Sequence, residues 1–192
     1  MNEIDISREG ITLRKIKQLF LLLLPKNTKT LFVLDEFTDL SLDKLKKFKI
    51  KGIILDVDGC IAYNHQSILL KNKLHIDKLI KSGLKIVIYS NAKKTSRYDD
   101  LPKSVHVLTN IPPKPEKKGF EVALKKLGVN KKNIAMVGDN FITDGGAIQY
   151  GINFVRVKAL KFKHENIFEV IHRYICSFFV FVSKIHNLLR NK

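Results

Sequence analysis

The apolar residues of this chain fall into short uninterrupted runs that alternate with longer stretches of helical period. The runs lack the polar alternation of a half-exposed strand, so they predict strands covered on both faces. We expect such strands at 52–55, 85–89, 105–108, 133–137 and 153–157, with an extended segment or strand at 30–34. Strands that alternate with helices over residues 50–158 predict an α/β domain with a parallel sheet and right-handed crossovers.

Helical spacing of apolar residues predicts the elements between the strands. We expect helices at 11–24, 42–48, 74–80, 115–127, 143–150 and 167–189, and a loop over 61–72. Ser41 is placed to cap the second of these helices, because a hydroxyl oxygen can accept from the backbone N–H groups of a first turn. Pro115 suits a first turn, and Gly128 suits the position just past a helix end.

The two terminal helices are unusually apolar. Residues 19–24 are apolar all round, which is typical of a helix docked on the core or of one lying in a membrane interface. In the last helix one face carries Ile167, Ile171, Tyr174, Phe178, Val182, Ile185 and Leu189, and it is widened by Phe179, Val180 and Phe181. We expect that face to dock on the domain, with interfacial membrane binding as the alternative. The uncharged stretch 174–183 is too short to span a bilayer.

Charge narrows the choice of partners. The 192 residues include 35 Lys and Arg against 18 Asp and Glu, a net charge of +17. Such a field suits anionic substrates, anionic membrane surfaces or nucleic acid, although a compositional bias explains it equally well. Two cysteines, Cys60 and Cys176, exclude a disulfide scaffold and indicate a reducing compartment. The first residues lack a secretory signal pattern. We therefore expect a cytoplasmic protein, or one bound peripherally to the inner face of a membrane.

Candidate chemistry begins where the first buried strand ends. Asp56 and Asp58 are two residues apart, so in a straight strand both side chains point the same way. Two such acids repel each other unless a cation or a proton lies between them. Gly59 then permits a sharp turn. Ser90 and Asp139 also directly follow apolar strands, and ligands of parallel sheets bind at the carboxyl ends of strands. An ordinary polar turn with solvated acids is the alternative.

Four motifs occur in one order along the chain. They are Leu55-Asp56-Val57-Asp58-Gly59, Ser90-Asn91, Lys114-Pro115 and Gly138-Asp139-Asn140-Phe141-Ile142-Thr143-Asp144. In order and spacing they resemble the haloacid dehalogenase (HAD)-like phosphatases. The layout from residue 30 onward is similar to subfamily IIIA, the YqeG-like group related to phosphatidylglycerophosphate phosphatase. The resemblance implies a three-layer, Rossmann-like domain with a parallel central sheet.

The resemblance also implies a division of the chain. Residues 50–160 would form the phosphatase core, residues 1–49 a helical and extended lead-in that packs on it, and residues 161–192 a C-terminal amphipathic helix. Residues 59–89 suffice only for a loop, a helix and a strand, so we expect no large cap over the site.

The acids receive roles from the resemblance. Asp56 would attack phosphorus and form an aspartyl-phosphate, and Asp58 would act as the general acid and base while its backbone carbonyl helps to bind Mg²⁺. Asp139 and Asp144 would complete the magnesium site with Asp56. Asp144 could instead simply begin a helix, where an acid is favourable.

Three further residues would handle the phosphate. The resemblance implies that Ser90 and the Asn91 backbone donate hydrogen bonds to the phosphoryl oxygens, and that Lys114 offsets the charge of Asp56 and the phosphate. Ser90-Asn91 is equally compatible with a plain turn, and Lys114 is assigned by motif order alone.

Two features depart from the family pattern. Cys60 stands where Thr or Val is usual and offers no hydroxyl, and Gly145-Gly146 replaces a stiffer helix start, which affects the position of Asp144. An open site, a basic surface and apolar terminal helices favour an anionic phospholipid substrate, with hydrolysis of phosphatidylglycerophosphate to phosphatidylglycerol. The alternatives are another phosphomonoester, or a basic nucleic-acid- or ribosome-binding protein that uses the fold as a scaffold.

Overall fold

The computed structural model describes residues 12–92, 96–160 and 167–190. Six strands and six α-helices follow one another along the described chain. They are α1 (Leu13–Leu21), β1 (Phe32–Leu34), α2 (Leu42–Lys47), β2 (Gly52–Leu55), α3 (Leu70–Lys81), β3 (Lys85–Tyr89), β4 (His106–Leu108), α4 (Lys117–Leu127), β5 (Ile134–Gly138), α5 (Gly146–Gln149), β6 (Asn153–Val157) and α6 (Ile167–Arg190). Short 3-10 turns lie at Pro25–Thr28, Phe37–Asp39, Ser96–Tyr98 and Lys131–Asn133.

All six strands form one parallel sheet in the order β1-β6-β5-β2-β3-β4. The sheet confirms the α/β prediction. Within the described ranges no extra domain is inserted between β2 and β3, in agreement with the expected lack of a large cap. The first strand along the chain, β1, pairs with β6 at the edge of the sheet, so part of the lead-in extends the sheet itself.

The side chains of β2 show why the sheet forms three layers. Ile53 and Leu55 pack into one buried cluster with Ile76 of α3, whereas Ile54 packs into the other with Phe120 of α4. Successive residues of a strand point to opposite faces, so an uninterrupted apolar run needs apolar cover on both sides. Helices on both faces provide that cover, as the sequence predicts.

Several helix boundaries differ from the prediction, and α1 ends at Leu21 where the prediction extended it to 24. The loop predicted over 61–72 ends at Leu69, because α3 begins at Leu70, whose exposed side chain gives no apolar period to recognise. Pro115 precedes α4 and lies outside its first turn; Glu116 is the N-cap. The helix predicted over 143–150 is reduced to Gly146–Gln149. Ser41 caps α2 as predicted, since its Oγ accepts from the backbone N–H of Lys44 at 3.2 Å.

The apolar face predicted to dock α6 on the domain is only partly turned inward. Among the described side chains of the helix, Phe179 and Ser183 are buried and Val180 packs against the core, while Ile171 and Phe178 are exposed, which corrects that part of the expectation. The side chains of Ile167 and Leu189 lie outside the described ones. Helical period defines which residues share a face but not which face turns inward, and this helix packs a mixed face on the domain.

The two ends of the described chain contact each other. The hydroxyl of Ser183 in α6 donates to the backbone carbonyl of Thr28 at 2.8 Å, and the Thr28 hydroxyl lies 2.9 Å from Nδ1 of His186. Leu22 and Phe179 lie in the same buried cluster. None of the helices within the described ranges has the length and apolarity needed to cross a membrane.

Candidate active site

Two neighbouring strands bring Asp56 and Asp139 to one edge of the sheet. Asp56 follows β2 and Asp139 follows β5, and Leu55 is paired with Val137 in the parallel register. The backbone N–H of Asp56 donates to the carbonyl of Val137 at 2.9 Å, which continues the ladder past the end of β2. Adjacent parallel strands therefore carry both acids to the same carboxyl edge.

A third carboxylate, that of Asp144, completes an acidic cluster. One ligand oxygen from each of Asp56, Asp139 and Asp144 lies within 4.8 Å of the others. Asp144 is fully buried, and its Oδ2 accepts from the backbone N–H of Asn140 at 3.1 Å. Asp144 therefore faces the other acids and precedes α5, so its position is set by the cluster and the loop.

Lys114 lies between two of these acids. Its Nζ is 2.5 Å from Oδ1 of Asp56 and 2.7 Å from Oδ1 of Asp144, and the side chain is buried. Burial alone would lower the pKa of Lys114, but the carboxylates of Asp144 and Asp56 raise it above its ordinary value. The lysine is therefore held as an ammonium.

The side chain of Asn91 holds the backbone of Lys114. Its Nδ2 donates to the Lys114 carbonyl at 3.1 Å, and its Oδ1 accepts from the Lys114 N–H at 2.8 Å. The sequence assigned only the Asn91 backbone to the site, so this positioning role of the amide is an addition. These two hydrogen bonds hold the backbone of Lys114 in place, although it lies in a loop, so that its side chain can reach the acids.

The three carboxylates of the cluster carry more negative charge than Lys114 compensates. Burial, followed by the neighbouring carboxylate of Asp144, raises the pKa of Asp56 to about 7. The same causes raise the pKa of Asp139 well above its ordinary value. Lys114 supplies one positive charge against three carboxylates, and no salt bridge to Asp139 occurs within the described ranges. Two negative charges remain when all three acids are ionised, and an oxygen-preferring divalent cation fits such a donor set.

Two glycines allow the backbone to approach this site. Gly59 has φ +82°, and a Cβ there would lie 2.7 Å from Oδ2 of Asp139, so the predicted turn also leaves space for the acid. At Gly146 a Cβ would lie 2.5 Å from Cβ of Pro115. The unusual glycine pair thus allows α5 to pack against the loop that carries Lys114.

Asp58 is held apart from the cluster by a residue that the sequence did not indicate. Its Oδ1 accepts from Nη1 of Arg97 at 2.6 Å and its Oδ2 from Nη2 at 2.7 Å. Oδ1 also accepts from the backbone N–H of His65 at 2.8 Å. Arg97 is buried and lies in a loop without apolar period, so no pattern distinguishes it among the basic residues of the chain.

Ser90 lies beside this ion pair. Its buried Oγ accepts from the backbone N–H of Ala92 at 3.1 Å and lies 3.4 Å from Nη2 of Arg97. The structure thus brings Ser90, Asp58 and Arg97 together. Asp56, Asp139, Asp144 and Lys114 meet in the adjoining group.

Cys60 is packed as a small buried side chain. Burial, with Asp56 as the next contribution, raises the pKa of its thiol well above the ordinary value. A nucleophilic cysteine needs the opposite shift. Cys60 therefore occupies space beside the acids and has no thiolate to offer.

A cavity lined by apolar, neutral polar and basic residues lies elsewhere in the described protein. Its volume is about 520 Å³, and its lining includes Lys51, Lys85 and Asn133, which lie at the amino ends of β2, β3 and β5. No acidic residue of the described chain lines it. The titratable cluster is at the opposite edge of the sheet, so this cavity contributes nothing to the chemistry above.

Comparison with known proteins finds one family model that is similar to part of the chain. A family model described as hydrolase, haloacid dehalogenase-like hydrolase, matches residues 73–150, which include Ser90, Lys114, Asp139 and Asp144. No curated protein sequence matches this chain.

Several solved structures are similar at low identity. The 3-deoxy-D-manno-octulosonate 8-phosphate phosphatase of Moraxella catarrhalis, solved with magnesium, phosphate and KDO, is 15% identical, with a TM-score of 0.44 over 79% of this chain and 98% of that chain. The cobalt-bound deoxy-D-mannose-octulosonate 8-phosphate phosphatase of Haemophilus influenzae is 18% identical, with a TM-score of 0.43 over 72% and 92%. A putative HAD superfamily (subfamily III A) hydrolase of Legionella pneumophila is 17% identical, with a TM-score of 0.41 over 75% and 90%. These likenesses assign no substrate to this chain.

Proposed function

We propose that this chain is a haloacid dehalogenase-like hydrolase, more narrowly a Mg²⁺-dependent phosphomonoesterase that works through an aspartyl-phosphate, as the family model over residues 73–150 supports. The observation that carries the proposal is the cluster of Asp56, Asp139 and Asp144 around the ammonium of Lys114. Like charges held close together away from water are costly. A divalent cation would offset the negative charge that Lys114 leaves uncompensated in this cluster, and it could bind a phosphate at the same place.

The nucleophile of the proposal is Asp56. A carboxylate oxygen of Asp56 attacks phosphorus, the bond from phosphorus to the ester oxygen breaks, and an aspartyl-phosphate forms. Lys114 contacts Oδ1 of Asp56, so its charge is already in place where the negative charge of the phosphoryl group arrives. Ser90 lies in the adjoining group and is a donor to the phosphoryl oxygens.

Asp58 moves the proton. Each carboxylate oxygen has two acceptor sites, and Oδ1 of Asp58 uses both, one on Arg97 and one on His65. Oδ2 has only its hydrogen bond to Arg97 among those described, so the remaining acceptor site is on Oδ2. That oxygen gives a proton to the leaving alcohol and then takes one from the water that hydrolyses the aspartyl-phosphate.

The metal would be held by Asp56, Asp139 and Asp144, with the Asp58 carbonyl as a further oxygen ligand. A bound Mg²⁺ supplies positive charge to the phosphoryl oxygens, which reduces their repulsion of the attacking carboxylate. All the side-chain donors are carboxylates, which suits Mg²⁺ better than a metal that prefers nitrogen or sulfur.

For the substrate we propose an anionic phospholipid with a terminal phosphomonoester, specifically phosphatidylglycerophosphate, which would yield phosphatidylglycerol. Three features support this choice: the net charge of +17, the lack of an inserted domain between β2 and β3 in the described chain, and the exposed apolar side chains of α1 and α6. Another phosphomonoester, such as a phosphoprotein, a nucleic-acid end or a metabolite, is the alternative.

The test is a phosphatase assay of the purified chain with Mg²⁺ and with a chelator. The substrates are phosphatidylglycerophosphate in mixed micelles, a nucleotide monophosphate, a sugar phosphate and a 5′-phosphorylated oligonucleotide. Metal-dependent phosphate release that is fastest on the lipid supports both levels of the proposal. Faster release from a soluble ester would reject the lipid and retain the phosphatase.

Asp56→Asn is the decisive variant, because an amide cannot serve as the nucleophile. We expect turnover to fall on the order of a thousandfold or more. Asp77→Asn, an exposed acid in α3 that pairs with Lys81, is the matched control and should retain full activity. Salt-dependent RNA binding without phosphate release from any ester would reject the enzyme and favour a nucleic-acid-binding protein.

A further inference from the structure

Helix α1 turns Gln18 and Leu19 inward and leaves an apolar stripe on its outer side. Gln18 is only 3% exposed, and its Nε2 donates to the carbonyl of Phe141 at 3.4 Å while its Oε1 accepts from Gln149. Leu13 and Phe20 of the same helix are 84% and 70% exposed. A surface helix of a globular protein normally does the reverse, so the outward stripe of α1 is not explained by packing on this domain.

Helix α6 repeats the arrangement at the other end of the chain. It buries Phe179 and Ser183, whereas Phe178 is 53% and Leu188 69% exposed, and Ile171 and Phe181 are exposed with them. Scattered exposed apolar side chains are ordinary, but a continuous set along one face marks an interaction surface. We call the outward side chains of α1 and α6 the terminal apolar surface: Leu13, Ile16, Phe20, Ile171, Phe178, Phe181, Ile185 and Leu188.

Most of the charged residues beside this surface are basic, although acids occur at Glu169, near the start of α6, and at Glu116, which pairs with Arg14. The sequence has no Asp or Glu from Thr12 to Leu34 or from Val170 to Lys192. Lys17, Lys29 and Lys184 are exposed in these segments. Apolar side chains bordered by an excess of lysines match the chemistry of a bilayer interface that carries anionic headgroups.

Both helices are attached to loops of the candidate active site. Arg14 of α1 forms an ion pair with Glu116, two residues after Lys114. In α6 the thiol of Cys176 lies 3.4 Å from Oδ1 of Asn140, which follows Asp139. The terminal apolar surface is therefore joined to the carboxyl edge of the sheet, the edge where the acids lie.

We propose that the terminal apolar surface is a docking face for an anionic lipid bilayer, in which α1 and α6 lie along the interface with their lysines at the headgroups. A second copy of the chain fits this surface less well, because a twofold contact would bring the exposed lysines of the two copies together. The inference does not rest on the proposed substrate, since docking is measured without any phosphate ester.

The experiment is co-sedimentation of the full chain with vesicles of phosphatidylcholine, and with vesicles in which about one third of the lipid is phosphatidylglycerol. We expect binding to the anionic vesicles, weak binding to the neutral ones, and weaker binding as salt is raised. Phe20→Asp combined with Phe178→Asp should lower the partition coefficient at least ~tenfold. The double substitution removes two apolar contacts and adds two negative charges to the protein, which the anionic lipid repels.

Leu74→Asp is the matched control. Leu74 is 63% exposed in α3, which packs on the other face of the sheet through Ile76 and Leu79. It should bind vesicles as the unchanged chain does. Circular dichroism and the mass in solution are measured for every variant, so that a folding defect is separated from lost docking.

Three results would overturn the proposal. The first is equal binding to neutral and anionic vesicles, and the second is no sedimentation with either. The third is a folded dimer of the unchanged chain that the Phe20 and Phe178 substitutions dissociate, because that result would assign the surface to a second copy. Failure of the phosphatase assay would leave the docking result intact, since the two measurements share no reagent.

Discussion

The guanidinium of Arg97 binds the carboxylate of Asp58 through two parallel hydrogen bonds, at 2.6 and 2.7 Å. Such a fork fixes both the position and the plane of the carboxylate. Asp58 is thereby kept out of the cluster that Asp56 shares with Asp139 and Asp144. The acids thus form two groups, one of three carboxylates around the ammonium of Lys114 and the other, Asp58, on the guanidinium of Arg97.

Arg97→Gln should lower kcat by roughly 10- to 100-fold, because Asp58 loses the fork that orients it and misplacement of a proton-transfer group costs about this much. Steady-state kinetics with saturating Mg²⁺ measure the effect. Lys103→Gln removes one exposed positive charge that follows the same loop and is the control. An unchanged kcat in Arg97→Gln would show that Asp58 needs no such support.

Lys114→Met should destabilise the metal-free protein by about 3–5 kcal/mol, because it leaves buried carboxylates without their cation. The same change should tighten Mg²⁺ binding and still lower turnover, since the divalent ion replaces the lost charge but not the contact to Asp56. Urea unfolding and calorimetric Mg²⁺ titration measure the two effects. Lys118→Met, an exposed neighbour, is the control, and equal unfolding free energies for the two variants would contradict the buried-ion-pair account.

The free energy of unfolding of the metal-free protein should fall as pH rises through 7. Burial and Asp144 raise the pKa of Asp56 from 3.8 to about 7, so the folded chain keeps a proton that the unfolded chain has already lost. The stabilising contribution is complete below 3.8 and is lost as pH rises through about 7, with a slope of at most about 1.4 kcal/mol per pH unit.

Mg²⁺ binds ionised carboxylates, so the increase in Tm that it produces should be larger at about pH 8 than at about pH 6. Thermal unfolding with Mg²⁺ and with chelator measures it. Asp56→Asn should flatten the pH dependence of the metal-free protein. A Mg²⁺ effect that is the same at both pH values would mean that the cluster does not bind the ion.

Cys60→Ser should keep kcat within about threefold, because burial raises the pKa of the Cys60 thiol and leaves no thiolate to react. Iodoacetamide should modify the native protein at this position only after unfolding. Inactivation of the folded enzyme that tracks alkylation of Cys60 would restore a cysteine-based mechanism. Cys176→Ser separates the two thiols in that measurement.

The sequence predicted those helices and strands whose buried residues form a regular apolar pattern along the chain. Ile53 to Leu55 is apolar without alternation because both faces of β2 are covered, and the acids that follow it are brought to Asp139 by parallel pairing. The position of Asp56 relative to Asp139 follows from topology, so motif order and strand ends were sufficient to place them at one edge.

Contacts made by residues in irregular loops produce no regular apolar pattern in the sequence. Arg97 reaches Asp58 from a turn after β3, and nothing in its neighbours distinguishes it from the exposed basic residues. The inward face of α1 is a similar case, because Gln18 turns inward to satisfy the carbonyl of Phe141, which apolar period cannot indicate. These features are decided by hydrogen-bond partners far along the chain.

Thr28 links the turn that follows α1 to helix α6 at the other end of the described chain. Its carbonyl and its hydroxyl both contact α6, through Ser183 and His186. Shortening the protein from its C-terminus would therefore also loosen the turn that follows α1, and with it the attachment of Arg14 to the loop of Lys114. Removal of C-terminal residues would thus affect the loop of Lys114 through the contacts of the N-terminal helix α1.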